Sequence, residues 1–138
     1  MEARGTHIIS ELSGCDARIL SDVDRVRGIM ESAAREANAE VLKVAFHRFQ
    51  PHGVSGVVVI AETHLSIHTW PESGYAAVDF YTCGQHTDPW RACEYAARKL
   101  GATSMLTTEV RRGIASTNGQ YTHVVHEHAG REMAKRSA

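Results

Sequence analysis

An α+β fold is what this sequence predicts: a two-layer sandwich in which an antiparallel sheet carries two helices on one face. Three observations point there. The hydrophobic periodicity runs β-α-β-β-β-β-α-β along the chain, tight turns rich in Gly and Pro join the middle strands, and each helical stretch has a single apolar stripe. A sandwich of this kind leaves the other sheet face open, where a second subunit can dock.

The elements follow in order. Residues 6–12, THIISEL, mix β-branched and polar side chains and predict a first strand that turns at Ser13-Gly14. Asp16 or Ser21 is placed to cap the next helix, and Ser21-x-x-Asp24 has capping-box character. Leu20, Val23, Val26, Met30, Ala33 and Ala37 then recur at three- and four-residue steps, which defines one core-facing stripe, and Asn38-Ala39 stops it. Residues 40–49 are apolar on both faces, as in a strand whose centre is buried. After a turn at Gln50-Pro51-His52-Gly53, Val54–Ala61 is a nearly continuous Val/Ile strand. Residues 64–70 alternate, so that Leu65 and Ile67 face one side and His64, Ser66 and His68 the other. Pro71 to Gly74 break the chain before a strand over residues 75–82. Asp88-Pro89 opens a second helix with an acidic cap and proline at the first position. Trp90, Cys93, Ala96, Ala97 and Leu100 form its buried stripe, and Gly101 closes it. Residues 102–110 make a last strand, and the histidine-rich, charged stretch over about 116–138 reads as a polar, mobile tail.

At 138 residues, 1–138 is expected to be one domain with its own core. Apolar and charged fractions of 43% and 22% are those of an ordinary globular protein, and a net charge of -1 argues against nucleic acid or an anionic membrane as partner. MEARGTHIIS lacks an apolar leader core, and no run is long enough to span a bilayer. With Cys15, Cys83 and Cys93 widely spaced and odd in number, reduced thiols and a cytoplasmic location are expected.

Chemistry concentrates in residues 53–84. His64 and His68 are four apart, but they lie in a stretch of period two, and Leu65 stands where a zinc-protease helix needs glutamate. No Cys-x-x-Cys completes a structural site, and His123, His126 and His128 read as solvated, so no metal is expected. Cys83 and His68 are candidates for a thiolate–imidazolium pair, unless Cys83 merely ends a core strand. A third possibility is self-cleavage at Glu62-Thr63. The Thr63 hydroxyl would attack the preceding carbonyl in an N-to-O acyl shift, which needs an oxyanion donor and a base. Ser55 and His68 supply a hydroxyl and a base if neighbouring strands bring them together. β-Elimination and hydrolysis would then leave an α-keto acyl group. On spacing alone, an ordinary polar surface turn explains Glu62-Thr63 better.

The segment VSGVVVIAETHLSIHTWPESGYAAVDFYTCG closely resembles the core of the prokaryotic S-adenosylmethionine decarboxylase proenzymes. The likeness extends to GTHIISELSGCD, FHRFQPHGVSG, DPW and RRGI, and ends at about Ser116. It implies a proenzyme that cleaves itself at Glu62-Thr63, forms a covalent pyruvoyl-type cofactor and decarboxylates S-adenosylmethionine for spermidine synthesis through a Schiff base. Position 63 is implied to become the keto acyl group, Ser55 to assist processing, His68 to accept the proton in that reaction and Cys83 to donate one in catalysis. Glu72 is implied to hold the ribose hydroxyls, Phe49 and Trp70 to line the adenine site, and Glu11 to lie near the reacting centre. Homodimers of processed protomers, with sites at the interface, are implied as well. The departure is Thr63, where the family has serine. Threonine keeps the hydroxyl, but its methyl restricts χ1, and its product is 2-oxobutanoyl rather than pyruvoyl. Alternative readings are a pyruvoyl-type arginine or ornithine decarboxylase, against which Glu72, Phe49 and Trp70 count, and an unprocessed homologue without catalysis.

Overall fold

The computed structural model describes residues 2–133. Its elements are β1 (Gly5–Ser13), α1 (Ala17–Leu20), α2 (Val23–Glu36), β2 (Glu40–Arg48), β3 (Val54–Ala61), β4 (Thr63–Trp70), a 3-10 turn (Pro71–Ser73), β5 (Tyr75–Cys83), α3 (Pro89–Lys99), β6 (Ser104–Ala115) and β7 (Tyr121–Glu132). The strands form one sheet in the order β2-β3-β4-β5-β1-β6-β7. Every neighbouring pair is antiparallel. The α+β sandwich with helices on one face is therefore the observed fold.

The core lies between the sheet and the helices. Ile8, Leu12, Val58, Leu65 and Phe80 point from the strands towards Val26 and Met30 of α2. The facing stripes of α2 and α3 are small: Ala33, Ala34, Ala92, Ala96 and Ala97 are all fully buried. Alanine keeps helix propensity high while letting the helix backbones approach the sheet closely. Asp88 caps α3 by accepting from the Trp90 N–H at 3.0 Å, as its sequence position predicts.

Three expectations are corrected. The first helical stretch is broken in two, capped by Asp16 and Asp22 rather than by Ser21. Asp22 accepts from the N–H groups of Asp24 and Arg25, and its charge complements the helix dipole, which a serine hydroxyl cannot do. Ser21 instead ends α1 and donates back to the Ala17 carbonyl at 2.9 Å. Second, β2 is an edge strand and mostly exposed, not buried at its centre, because only β3 pairs with it. Only Val41 and Phe46 of β2 pack against the core. The Phe46 ring lies directly over Gly56, where a Cβ would come within 2.0 Å of it. Third, residues 121–132 of the polar tail form β7 on the free edge of β6. A turn over residues 116–120 with Gly119 at φ 82° folds the chain back, and Thr122, Val124 and Val125 supply β-branched side chains. Trp90 of α3 meets the His128 ring at 4.8 Å, and Arg131 pairs with Glu94 at 2.9 Å, which ties β7 to the helical layer. The remainder of the tail, residues 134–138, lies outside the described residues.

Among the described residues no helix is long and apolar enough to cross a membrane.

Candidate active site

The pairing of Ile60 with Thr63 leaves Ala61 and Glu62 as the two-residue link between β3 and β4, so the Glu62–Thr63 peptide sits at the tip of a hairpin. Thr63 is half-buried, its Oγ1 3.1 Å from the Tyr81 carbonyl and 3.2 Å from Nδ1 of His64. On the other side Thr63 pairs with Thr82, which brings Cys83 to the tip. The Cys83 N–H donates to the Glu62 carbonyl at 2.8 Å, and its thiol donates to Glu62 Oε1 at 3.3 Å. Desolvation raises the pKa of this thiol, and the Glu62 carboxylate raises it further, so Cys83 stays protonated at neutral pH. It is poised to give a proton rather than to attack as a thiolate. The carbonyl that a Thr63 hydroxyl would attack is thus already polarised by a backbone donor.

A second group gathers at the opposite end of the same hairpin. Ser55 and His68 are a cross-strand pair, and Ser55 Oγ lies 2.5 Å from His68 Nδ1. The His68 ring is flanked by Phe49 at 5.8 Å and Trp70 at 4.2 Å, and Trp70 stacks on Tyr75 at 4.9 Å. The Tyr75 hydroxyl bonds the carboxylate of Glu11, which with burial pushes the phenol up to about 12. Glu72 pairs with His52 at 3.3 Å. Ser55, His68, Phe49, Trp70 and, through Tyr75, Glu11 are thereby connected, as are Glu62, Thr63 and Cys83, whereas the contact of Glu72 is with His52. Within one protomer the two groups do not meet. Five residues of extended strand separate Thr63 from His68, about 16 Å at the usual rise. Cys83 is likewise far from His68, which pairs with Ala77.

Between them lies a polar cluster that sequence reasoning missed. Asp79 of β5 accepts from Ser66 and lies 2.6 Å from His7 Nε2 and 3.8 Å from His64 Nε2. Burial alone would raise the Asp79 pKa, but the bonds from His7 and Ser66 outweigh it and hold the carboxyl below its ordinary value. Tyr81 stacks on His7 at 4.7 Å, its ring seated over Gly5, where a Cβ would fall 2.6 Å from Cε1. Arg112 caps the set, 3.2 Å from His7 Nδ1. His7, Glu11, Ser66, His68 and Asp79 line one open pocket of about 360 Å³. The available signal was Asp79, a lone carboxylate in an otherwise apolar strand. Among the described residues no group of three His, Cys, Asp or Glu side chains is arranged to hold a metal ion.

Comparison with known proteins bears on what this arrangement is for. The S-adenosylmethionine decarboxylase family pattern matches residues 6–113. The S-adenosylmethionine decarboxylase proenzyme of Caldanaerobacter subterraneus subsp. tengcongensis is 59% identical over 114 residues, covering 83% of this chain and 92% of that protein. The proenzyme of Caldicellulosiruptor saccharolyticus is 58% identical over the same shares. The crystal structure of adenosylmethionine decarboxylase from Aquifex aeolicus superimposes with a TM-score of 0.79 at 38% identity, over 85% of this chain and 97% of that one. A Trypanosoma brucei AdoMetDC monomer shares the fold at 14% identity and a TM-score of 0.58, over 83% of this chain and 48% of that longer one. With the family pattern spanning most of the sheet and all of the hairpin, and relatives this similar over nearly their whole length, the chain belongs to the S-adenosylmethionine decarboxylase family.

Proposed function

We propose that this chain is an S-adenosylmethionine decarboxylase, made as a proenzyme that cleaves itself at Glu62–Thr63, working in the cytoplasm as a homodimer. The observation that carries the reading is the hairpin tip. There a hydroxyl follows a peptide whose carbonyl accepts the Cys83 N–H at 2.8 Å, with an imidazole 3.2 Å from the hydroxyl. A nucleophile, an oxyanion donor and a proton acceptor are the parts an acyl shift needs. The half-buried position of Thr63 beside Cys83 also fits a covalent 2-oxobutanoyl group at residue 63. Such a group supplies an electron sink for decarboxylation. The thiol of Cys83, held protonated, is suited to return a proton to the substrate carbon.

The rest of the site is supported by a second copy of the chain. Ser55, His68 and Cys83 face the open side of the sheet, away from the helices, as does the central pocket. The midpoint between Thr63 and His68 falls at Ser66 on β4 and Asp79 on β5. A two-fold axis crossing the strands there lays one open face on another and carries the partner's hairpin end to the Thr63 tip. Exposed Ile9, Val59, Leu106 and Val125 supply apolar cover for such a face. In this arrangement Phe49 and Trp70 offer aromatic faces for a purine, and the exposed Glu72 carboxylate offers an acceptor for ribose hydroxyls.

Intact-mass spectrometry of freshly purified protein tests the reading. Two fragments, the larger blocked by an oxoacyl group and releasing CO₂ from S-adenosylmethionine, are expected. A single full-length mass after long incubation refutes it, and CO₂ release from arginine or ornithine alone refutes the substrate.

A further inference from the structure

We infer that processing divides its proton transfers between two histidines: His64 acts within the protomer as the proton shuttle of the acyl shift on Thr63, leaving the partner's His68 for the later elimination. The inference rests on the self-cleavage reading and adds to it a catalytic residue and an order of events. Self-cleavage has two chemically distinct proton removals, one from a hydroxyl and one from a carbon. The geometry separates the groups that can perform them. His64 Nδ1 is 3.2 Å from Thr63 Oγ1, within reach of a general base. His68 is five residues further along the strand, and its Nδ1 is occupied by Ser55.

The surroundings of His64 suit a shuttle. Its other nitrogen, Nε2, lies 3.8 Å from the Asp79 carboxylate, which stabilises the imidazolium formed when Nδ1 takes a proton. Asp79 is in turn held by Ser66 and by His7, and Tyr81 meets the His64 ring edge-on at 5.7 Å, fixing its plane. The balance of the step is complete without any outside reagent. Oγ1 bonds to the Glu62 carbonyl carbon as its proton passes to Nδ1, and the new oxyanion accepts the Cys83 N–H. The C–N bond then breaks as the Thr63 nitrogen takes the proton back from His64. The products are a Glu62 ester on Oγ1 and a free Thr63 amine, with no net change in protons. Elimination follows: a base removes the Thr63 Cα proton, the new main-chain carboxylate of Glu62 leaves Cβ, and the resulting enamine takes a proton at Cβ to become an imine, which water hydrolyses to the ketone and ammonia.

The test compares His64→Ala, His64→Gln and His68→Ala, each in the natural chain and in a Thr63→Ser parent, by gel and mass after incubation with and without hydroxylamine. Hydroxylamine cleaves an ester and spares an amide, so it reports whether the acyl shift has occurred. His64 variants are expected to slow fragment formation by about 10²-fold or more and to stay resistant to hydroxylamine. His68→Ala is expected to accumulate full-length chain that hydroxylamine cuts between residues 62 and 63. Circular dichroism and melting keep a folding failure apart from a chemical one, and the size-matched glutamine variant preserves the packing on Tyr81. The inference is overturned alone if a folded His64 variant processes within threefold of its parent, or stalls as a hydroxylamine-sensitive ester. If neither parent cleaves, the self-cleavage reading falls, and this inference falls with it.

Discussion

The separation of Thr63 from His68 makes a quantitative prediction about shared sites. Co-expressing Thr63→Ala with His68→Ala, differently tagged, yields three dimers in a statistical ratio. Each variant's own dimer lacks the hydroxyl or the imidazole at every site, so neither processes alone, and with about 16 Å of strand between the two positions in one chain only a partner can supply the missing group. In the mixed dimer one site combines the intact Thr63 of the His68→Ala chain with the intact His68 of its partner, and the other site lacks both. With half the dimers mixed and one good site in each, about a quarter of all chains should be cleaved, all carrying the His68→Ala tag. The assay is fragment quantitation by mass spectrometry for each tag, calibrated on the natural chain. Absence of cleavage in the mixture, although both variants associate and the natural chain cleaves, would refute the shared site. Cleavage of His68→Ala on its own at the natural rate would show that no histidine at this position is needed.

Other outcomes follow from individual contacts. Thr63→Ser removes the methyl that limits χ1 and is expected to speed processing up to about tenfold, the equivalent of one off-rotamer penalty, whereas Thr63→Ala abolishes it; time-resolved gels check both. Because the Glu62 carboxylate helps raise the Cys83 thiol, Glu62→Gln in a non-cleaving Thr63→Ala background lowers that pKa, and the pH dependence of iodoacetamide labelling should move to lower pH. Thr69 is fully buried, accepting from the Val54 N–H at 2.9 Å and donating to the Leu20 carbonyl at 2.8 Å. Thr69→Val keeps the shape but strands both partners, and urea unfolding should show a loss of about 2 kcal/mol or more. Phe80→Ala, at the centre of the core, is expected to cost about 3–5 kcal/mol by the same measurement.

Much of the fold was legible in the sequence because its signals are local. Period two over β4 placed Leu65 and Ile67 inward and His64, Ser66 and His68 outward, as found. Asp88-Pro89 and Gly101 marked the ends of α3, and the alanine stripes marked the faces that meet the sheet. The Glu62-Thr63 bond, Cys83 and the Ser55–His68 pair could be named from residue types and motif.

What the sequence left undecided depends on partners distant along the chain. β2 looked like a buried strand because apolar content cannot report whether a second neighbour exists, and here none does. The tail looked unstructured because its side chains are polar, yet β7 is held by the backbone edge of β6 and by Trp90 and Glu94, none of which its own composition reveals. The same holds for the site. The resemblance singled out the bond at 62–63, and the spacing along β4 already sets His68 well away from Thr63, but only the register of β1, β4 and β5 brings His7, His64 and Asp79 into one cluster. Local chemistry is written in neighbouring residues, whereas distance is decided by which strands pair and in what register.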